Sequence, residues 1–469
     1  MRFLTIALLL IPNMLFAQKW VDTTYQYNID RDSLYGSAVD FGGNLKQLHL
    51  DIAYPTNDTP PSCGRPLVVV LYGGAWMAGN KEVTEVQSLM KDFAKRGYVA
   101  VAPNYRLGMF QTEQDRNCNI SSLGLEWNCL NAQDTAEWYR AYYRAVQDAK
   151  GAVRYIIKHA DVFNIDPYNV FITGFSAGGF TALGVGFLDH ESEWKDFAGA
   201  IDSAKRPNNR YNVGCVQKYQ WDTSVSSLDL SRPSLGSFEG NLHPNQSYTI
   251  RAVGNLFGGM LYNLLDSGSS TPPAIYGFHQ PNDLIVPYRN NQQVFQGFTA
   301  CAYAFCNLGI INRPIVYSTP VIRDWAKQAP NRIDVQFDST LNNTNCAGQI
   351  AAPSKGGHQL DTWERTWNMA RFFAGKIDTL ACKSAFFRPA ELLHINVYPN
   401  PSTGTFTVQA HNVESVRVLD MRGVEVQITT IKHGQRNQVI SLDNPTKGVF
   451  IVEVELDNQR SYRQRIIVN

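Results

Sequence analysis

Apolar residues along this chain fall into short runs separated by amphipathic stretches. Leu48-His49-Leu50-Asp51-Ile52-Ala53-Tyr54-Pro55 alternates like a strand and ends at a proline. Pro66 to Tyr72 is a continuous apolar run, the pattern of a strand buried on both faces. From Glu82 to Arg96, Val86, Leu89, Met90, Phe93 and Ala94 recur at helical spacing, and Gly97 ends the stretch as a C-terminal cap. Tyr98 to Pro103 reads as a strand, Tyr139 to Ala160 as a long helix, and Asn169-Val170-Phe171-Ile172-Thr173 as another buried strand. A helix begins at Phe180-Thr181-Ala182-Leu183. Strand, helix, strand, helix, strand at this spacing predicts an α/β fold with a doubly wound, mostly parallel sheet.

The alternation continues with Phe197 to Asp202 as the next strand, then breaks. Residues 205–272 are rich in Asn, Ser, Pro and Gly, with an apolar patch at Leu256 to Leu265. They read as an insertion, either covering a site and setting its selectivity or forming a plain structural excursion. Pro273 to His279 resumes the strand pattern, Asn331 to Phe337 is the last strand of the sheet, and Thr362 to Phe373 is a helix. Residues 18 to about 45 read as an entry segment. Past Cys382 the pattern changes again. Thr405–Gln409, Val413–Leu419, Gln438–Leu442, Val449–Leu456 and Arg463–Val468 are short strands punctuated by turn residues, as in a small all-β sandwich. The expected division is a signal peptide over 1–17, an α/β domain over 18–385, a linker over 386–392 and the β domain over 393–469.

Composition narrows the function classes. The 469 residues are 44% hydrophobic and 18% charged with a formal net charge of +1, so bulk charge makes no case for nucleic acid or an anionic membrane surface. Met1-Arg2, the apolar Phe3–Phe16 stretch and Ala17 before Gln18-Lys19-Trp20 read as a secretory signal peptide with cleavage expected after Ala17, an uncleaved anchor being the minor alternative. No other stretch suits a membrane span, so the expectation is an exported chain without an integral segment. Eight cysteines in an exported chain permit disulfides. Cys118 with Cys129 and Cys301 with Cys306 are local pairs, Cys63, Cys215, Cys346 and Cys382 remain, and buried thiols are the alternative. No Cys/His spacing suggests a metal, and no cofactor is implied.

The candidate chemistry lies in two glycine-rich connections. Gly174-Phe175-Ser176-Ala177-Gly178-Gly179 carries G-x-S-x-G between a buried strand and a helix. That context is a nucleophile elbow, with the Ser176 hydroxyl raised on a sharp turn that small neighbours make sterically possible. Gly73-Gly74-Ala75-Trp76-Met77-Ala78-Gly79 follows directly on the Pro66–Tyr72 strand. Acyl transfer passes through a tetrahedral oxyanion that needs preorganised donors. The backbone N–H groups of Gly74, Ala75 and Ala177 are the candidates.

With these elements in place the chain resembles an α/β-hydrolase of the serine esterase (carboxylesterase/lipase) type over roughly residues 45 to 380. Tyr72-Gly73-Gly74-Ala75-Trp76 with Gly79 and Lys81 is similar to that family's H-G-G-G-W segment, with Tyr72 in place of the His and Ala75 in place of the third Gly. Tyr105-Arg106 and Tyr143-Arg144-Ala145-Val146-Gln147-Asp148 also resemble family stretches. The resemblance implies the order Ser, acid, His, and places the acid at Asp283 in Gln280-Pro281-Asn282-Asp283-Leu284-Ile285-Val286-Pro287. His358, in Gly356-Gly357-His358 after the last strand, is the one histidine in that order on a glycine loop, and is the expected base; His279 reads as structural. The C-terminal strands, with Tyr398-Pro399-Asn400-Pro401, Asp420-Met421-Arg422-Gly423, Lys447-Gly448-Val449-Phe450 and the basic tail, resemble the sorting domain of the type IX secretion system. That resemblance implies the secretion machinery as partner and export across both membranes of a Gram-negative bacterium; a carbohydrate-binding or adhesive module is the alternative. The whole chain then reads as a secreted serine carboxylic-ester hydrolase acting on a small or polymer-borne ester, against a peptidase of the same fold or a non-catalytic binding protein.

Overall fold

The structure, a computed structural model, describes residues 19–41, 43–109, 119–120, 125–126, 135–193, 234–265, 271–288, 292–297, 314–329, 333–340, 357–378, 396–409, 413–420, 424–430, 437–443, 446–456 and 461–469. The expected signal peptide, the Phe197–Asp202 strand and the linker lie outside these residues. Two compact units divide the chain, one of residues up to 158 with 166–377, the other of 159–165 with 378–469.

The first unit is built on an eight-stranded sheet. Its strands are β1 (Gln26–Val39), β2 (Leu45–Thr56), β3 (Arg65–Leu71), β4 (Val99–Pro103), β5 (Ile165–Phe175), β6 (Ile250–Leu256), β7 (Ala274–Phe278) and β8 (Val335–Asp338), in the spatial order β1-β2-β4-β3-β5-β6-β7-β8. β3 with β4, β5 with β6, β6 with β7 and β7 with β8 run parallel, whereas β1 and β2 add an antiparallel edge. Every residue of β3 and of β4 is buried, which explains their unbroken apolar sequence. The helices are α1 (Thr84–Lys95), α2 (Thr135–Lys158), α3 (Ala177–Phe187), α4 (Thr319–Gln328) and α5 (Thr362–Ala374). α1 buries Val86, Leu89, Met90, Phe93 and Ala94, the stripe its periodicity predicts, and Gly97 ends it at φ 102°. α3 has no polar face: all but one of its residues are buried, since it runs from the centre of the sheet into the core.

The entry segment contains β1, an edge strand whose bulges and charged Asp30-Arg31-Asp32 interrupt the period of two. Two expectations are corrected. The last strand begins at Val335 rather than Asn331. The expected insertion over 205–272 is not one continuous excursion, because Ile250–Leu256 is a central strand between β5 and β7. Its Gly254 and Asn255 weaken the strand signal, yet both sit where tertiary contacts require them. A Cβ on Gly254 would meet the Thr173 hydroxyl, and buried Asn255 donates to Thr319 Oγ1 at 2.9 Å and accepts from the Gly258 N–H at 3.1 Å.

In the second unit, β9 (Asn396–Tyr398), β10 (Thr405–Gln409) and β13 (Asn437–Ser441) form one antiparallel sheet, and β11 (Val413–Asp420), β12 (Glu425–Thr430), β14 (Gly448–Leu456) and β15 (Ser461–Val468) another. Phe406, Val408 and Ile440 from the first join Val416, Val452 and Ile466 from the second in one buried cluster. This unit thus has a core of its own. β9 and β12 were not expected, β9 being only three residues long and β12 exposing Val426 and Ile428. Of the cysteines, Cys63 is disulfide-bonded; all the others, including both expected local pairs, lie outside the described residues.

A buried ion cluster ties β2 to the loop after β3. Lys81 Nζ lies 2.9 Å from Asp51 Oδ1 and 2.7 Å from Asp32 Oδ1, with Lys81 and Asp51 both buried. Asp51 Oδ2 also accepts from Arg31 at 2.9 Å and from Gln87 at 3.2 Å. Removing one member strands buried charge. Asp51→Ala is expected to lower unfolding stability by about 3 kcal/mol, measured by urea titration against wild type.

Candidate active site

β5 ends at Phe175 and α3 starts at Ala177, so the chain reverses at Ser176 alone. Ser176 takes φ 54°, ψ −125°, a conformation costly for a residue with a Cβ. Surrounding packing enforces it. A Cβ on Gly174 would lie 2.4 Å from the Gly178 carbonyl oxygen, and one on Gly178 would lie 2.3 Å from the Leu71 carbonyl oxygen. Strand, helix and the end of β3 approach too closely for any side chain at these two positions. The Ser176 N–H donates to the Leu256 carbonyl at 2.9 Å, fixing the turn to β6.

The loop after β3 is anchored along its length. Tyr72 Oη donates to the Tyr105 carbonyl at 3.0 Å, Tyr105 Oη donates to the Tyr72 carbonyl at 2.7 Å, and the two rings stack with centroids 4.1 Å apart. Trp76 Nε1 donates to Thr181 Oγ1 on α3 at 3.0 Å. Beyond it, Lys81 is held by Asp51 and by Asn104, whose Oδ1 accepts the Lys81 N–H at 2.8 Å. Between these anchors Gly74, Ala75 and Trp76 have φ of 110°, 53° and 57°. The N–H groups of Gly74 and Ala75 make no hydrogen bond among the described residues. Ala177 stands in the first turn of α3, where a helix N–H has no intrahelical partner and the helix dipole is positive. These three expected donors and Ser176 meet around one opening: Gly74, Ala75 and Ser176 line the larger cavity, and Ala75, Ser176 and Ala177 the smaller recess beside it.

Asp283 and His358 complete the group. His358 Nε2 is 2.9 Å from Ser176 Oγ, and His358 Nδ1 is 2.7 Å from Asp283 Oδ2. The sequence separations are 182 and 75 residues, so only the fold brings the three together. The Asp283 side chain is fully buried, and His358 is partly exposed. Asp283 Oδ1 accepts from the N–H of Ile285 at 2.8 Å and of Val286 at 3.0 Å. Gln280 Oε1 accepts the Gln359 N–H at 3.0 Å and so clamps the histidine loop to the acid loop. Phe257 packs edge-on against the His358 ring at 4.5 Å. Burial is the largest influence on the Asp283 carboxyl and pushes it up. The charge of His358 and hydrogen bonds from His279 and His358 outweigh burial, and the group is held below its ordinary value of 3.8.

A cavity of about 490 Å³ opens above Ser176 and His358, lined by Glu85, Phe175, Phe257, Ile285, Phe295 and Leu360. A second, apolar recess of about 20 Å³ lies on the Ala75–Ala177 side of Ser176, among Trp76, Trp138, Phe180, Leu261, Val294 and Phe295. Its wall includes Val316 from a short antiparallel trio of Gln292–Gln293, Ile315–Ser318 and Gly259–Met260. The sequence pattern missed Phe257 and the 285–316 contributions. Their one signal is the apolar Leu284-Ile285-Val286 beside the expected acid. Selectivity was expected from residues 205–272, of which 205–233 and 266–270 lie outside the described residues.

Residues 50–120 and 132–222 match the family described as BD-FAE, and residues 396–469 match the secretion system C-terminal sorting domain. The probable carboxylic ester hydrolase LipM of Mycobacterium tuberculosis is 27% identical over 151 residues, which are 32% of this chain and 28% of LipM, so the similarity spans about a quarter of that relative. Among solved structures, a truncated carbohydrate esterase from gut microbiota aligns with 76% of this chain and 98% of its own at 17% identity and a TM-score of 0.41. Esterase B of Lactobacillus rhamnosis, with a bound phosphonate inhibitor, aligns with 76% of this chain and 87% of its own at 13% identity and a TM-score of 0.36.

The lowered Asp283 group has a consequence for folding. Its depressed folded value means that its contribution to stability is present above 3.8 and is lost as pH falls through the folded value. The difference in unfolding free energy between wild type and Asp283→Asn is therefore expected to be constant just above that range and to narrow below it, as read from chemical unfolding at a series of acidic pH values.

Proposed function

We propose, from the premise that the chain is an α/β-hydrolase of the esterase type closed by a type IX sorting domain, that it is a secreted serine carboxylic-ester hydrolase. The sorting domain marks the chain for export by type IX secretion to the cell surface or beyond, so the substrate is met outside the cell. One observation carries the catalytic reading: the hydrogen-bonded row Ser176 Oγ, His358 Nε2, His358 Nδ1, Asp283 Oδ2 at the floor of an open cavity.

In this reading His358 removes the proton from Ser176 Oγ as the oxygen attacks the ester carbonyl. The N–H groups of Gly74, Ala75 and Ala177 receive the oxyanion. They cost no reorganisation, because the loop anchors already hold their backbone in place. Buried, ionised Asp283 keeps the Nδ1–H tautomer of His358 and stabilises the imidazolium. His358 then protonates the leaving alkoxide, and a water activated by the same imidazole hydrolyses the acyl-enzyme.

The two cavities assign the two halves of the ester. The leaving oxygen must lie within reach of His358 Nε2, so the alcohol occupies the large cavity on the His358 side. The acyl group points the other way, into the apolar recess between Trp76, Trp138 and Phe295. About 20 Å³ there accommodates roughly one or two water-sized groups. The geometry favours a short acyl chain on a larger alcohol.

A fluorophosphonate probe is expected to label wild type and not Ser176→Ala, with p-nitrophenyl acetate hydrolysis falling about 10⁴-fold or more in that variant. Labelling that survives the substitution would remove Ser176 from the mechanism. Across p-nitrophenyl esters from acetate to decanoate, kcat/KM is expected to be highest for the shortest acyl chains and to fall at least about tenfold by octanoate. Cleavage of peptide amides at comparable rates would favour the peptidase reading instead.

A further inference from the structure

His279 follows directly on β7, four residues before Asp283, and it is fully buried. Its Nε2 lies 3.0 Å from the Val286 carbonyl oxygen and 3.2 Å from Asp283 Oδ2. Both neighbours only accept, so the proton must sit on Nε2. The other nitrogen, Nδ1, is buried and has no hydrogen-bond partner among the described residues. A proton there would be a stranded donor, which points to the same tautomer. A single N–H is thus shared between the carboxylate and the carbonyl of the acid loop.

The receiving oxygen gives this bond its meaning. Asp283 Oδ2 is the atom that accepts from His358 Nδ1 at 2.7 Å, whereas Oδ1 is saturated by two backbone N–H groups. The carboxylate is fixed on its Oδ1 side by its own loop, and on its Oδ2 side by an imidazole on each flank. His279 itself has little freedom. Its N–H donates to the Asp338 carbonyl of β8 at 3.2 Å, its carbonyl accepts from Ser339 Oγ at 2.9 Å, and its ring stands edge-on to Tyr288 at 5.5 Å. His279 does not line the substrate cavity.

We infer that His279 is a positioning residue for the reaction: its Nε2–H holds Asp283 Oδ2 where that oxygen orients His358 toward Ser176. This rests on the ester hydrolase reading. Without the donor, Oδ2 keeps only His358, and the carboxylate can swing about its Oδ1 contacts and carry the imidazole with it. Displacement of a reacting group by about 1 Å can cost about 10²-fold in rate. Substrate binding, which His279 does not touch, is unaffected.

The test compares His279→Leu, which keeps bulk but no donor, with His279→Gln, whose side-chain N–H can stand near the position of Nε2. Should the Leu variant not fold, Asn, too short to reach Oδ2, takes its place. With p-nitrophenyl acetate, the Leu variant is expected to lose about ten- to a hundredfold in kcat with KM within about twofold, and the Gln variant to recover most of kcat. Wild-type kcat in the Leu variant, or a Gln variant as slow as Leu at equal thermal stability, overturns the inference. If wild type hydrolyses no ester, it is the hydrolase reading that fails. The role of His279 is then read from the low-field proton resonance of the His358–Asp283 hydrogen bond. That resonance is expected in wild type and the Gln variant, and to move upfield or broaden in the Leu variant; an unchanged resonance there overturns the inference.

Discussion

The first unit depends on one close approach. The turn at Ser176 can exist only where β5, α3 and the end of β3 come together without side chains between them, with Gly174 and Gly178 against the Leu71 carbonyl. That contact has two results. It forces Ser176 into a strained backbone conformation at the lining of the cavity, and it brings the loop after β3 alongside the first turn of α3. The strained serine and the proposed oxyanion donors are therefore one construction. The cost of the positive φ values at Ser176, Ala75 and Trp76 falls on a core whose strands β3 and β4 are completely buried.

The acid side of the site answers a different problem. A carboxylate without solvent contact is expensive unless its lone pairs are taken up. Asp283 solves this with two backbone N–H groups on one oxygen and two imidazoles on the other. The net result is a carboxyl that stays ionised despite burial. The Lys81–Asp51 cluster applies the same rule to a structural task, fixing the far end of the glycine loop. Buried charge recurs in this domain where a loop must hold one conformation.

The C-terminal unit is organised on separate terms. Its two antiparallel sheets share a cluster of valines, isoleucines and Phe406, and its strands follow one another at hairpin spacing. A module with its own core can fold independently of the domain it accompanies.

Much of this protein is legible in its sequence. Periodicity alone placed α1, β3, β4 and the strand-turn-helix around Ser176, because those elements are buried on a fixed face or on all faces and cannot tolerate another pattern. Turn chemistry located the glycine loop, and the resemblance to serine esterases pointed to Asp283 and His358. What the sequence left open follows from contacts between distant residues. β1 is an edge strand whose bulges break the alternation, and β6 hides in an Asn- and Gly-rich stretch because Gly254 and buried Asn255 answer to Thr173 and Thr319 rather than to local propensity. The recess beside Ser176 and the packing of Phe257 on His358 exist only once loops 182 and 75 residues apart in the chain converge. Local sequence determines which elements form and which residues can do chemistry, since periodicity and turn preference act over a few residues. The shape of the cavity and the hydrogen bonds that hold its groups are tertiary, because they depend on which ends of which strands the sheet order makes neighbours.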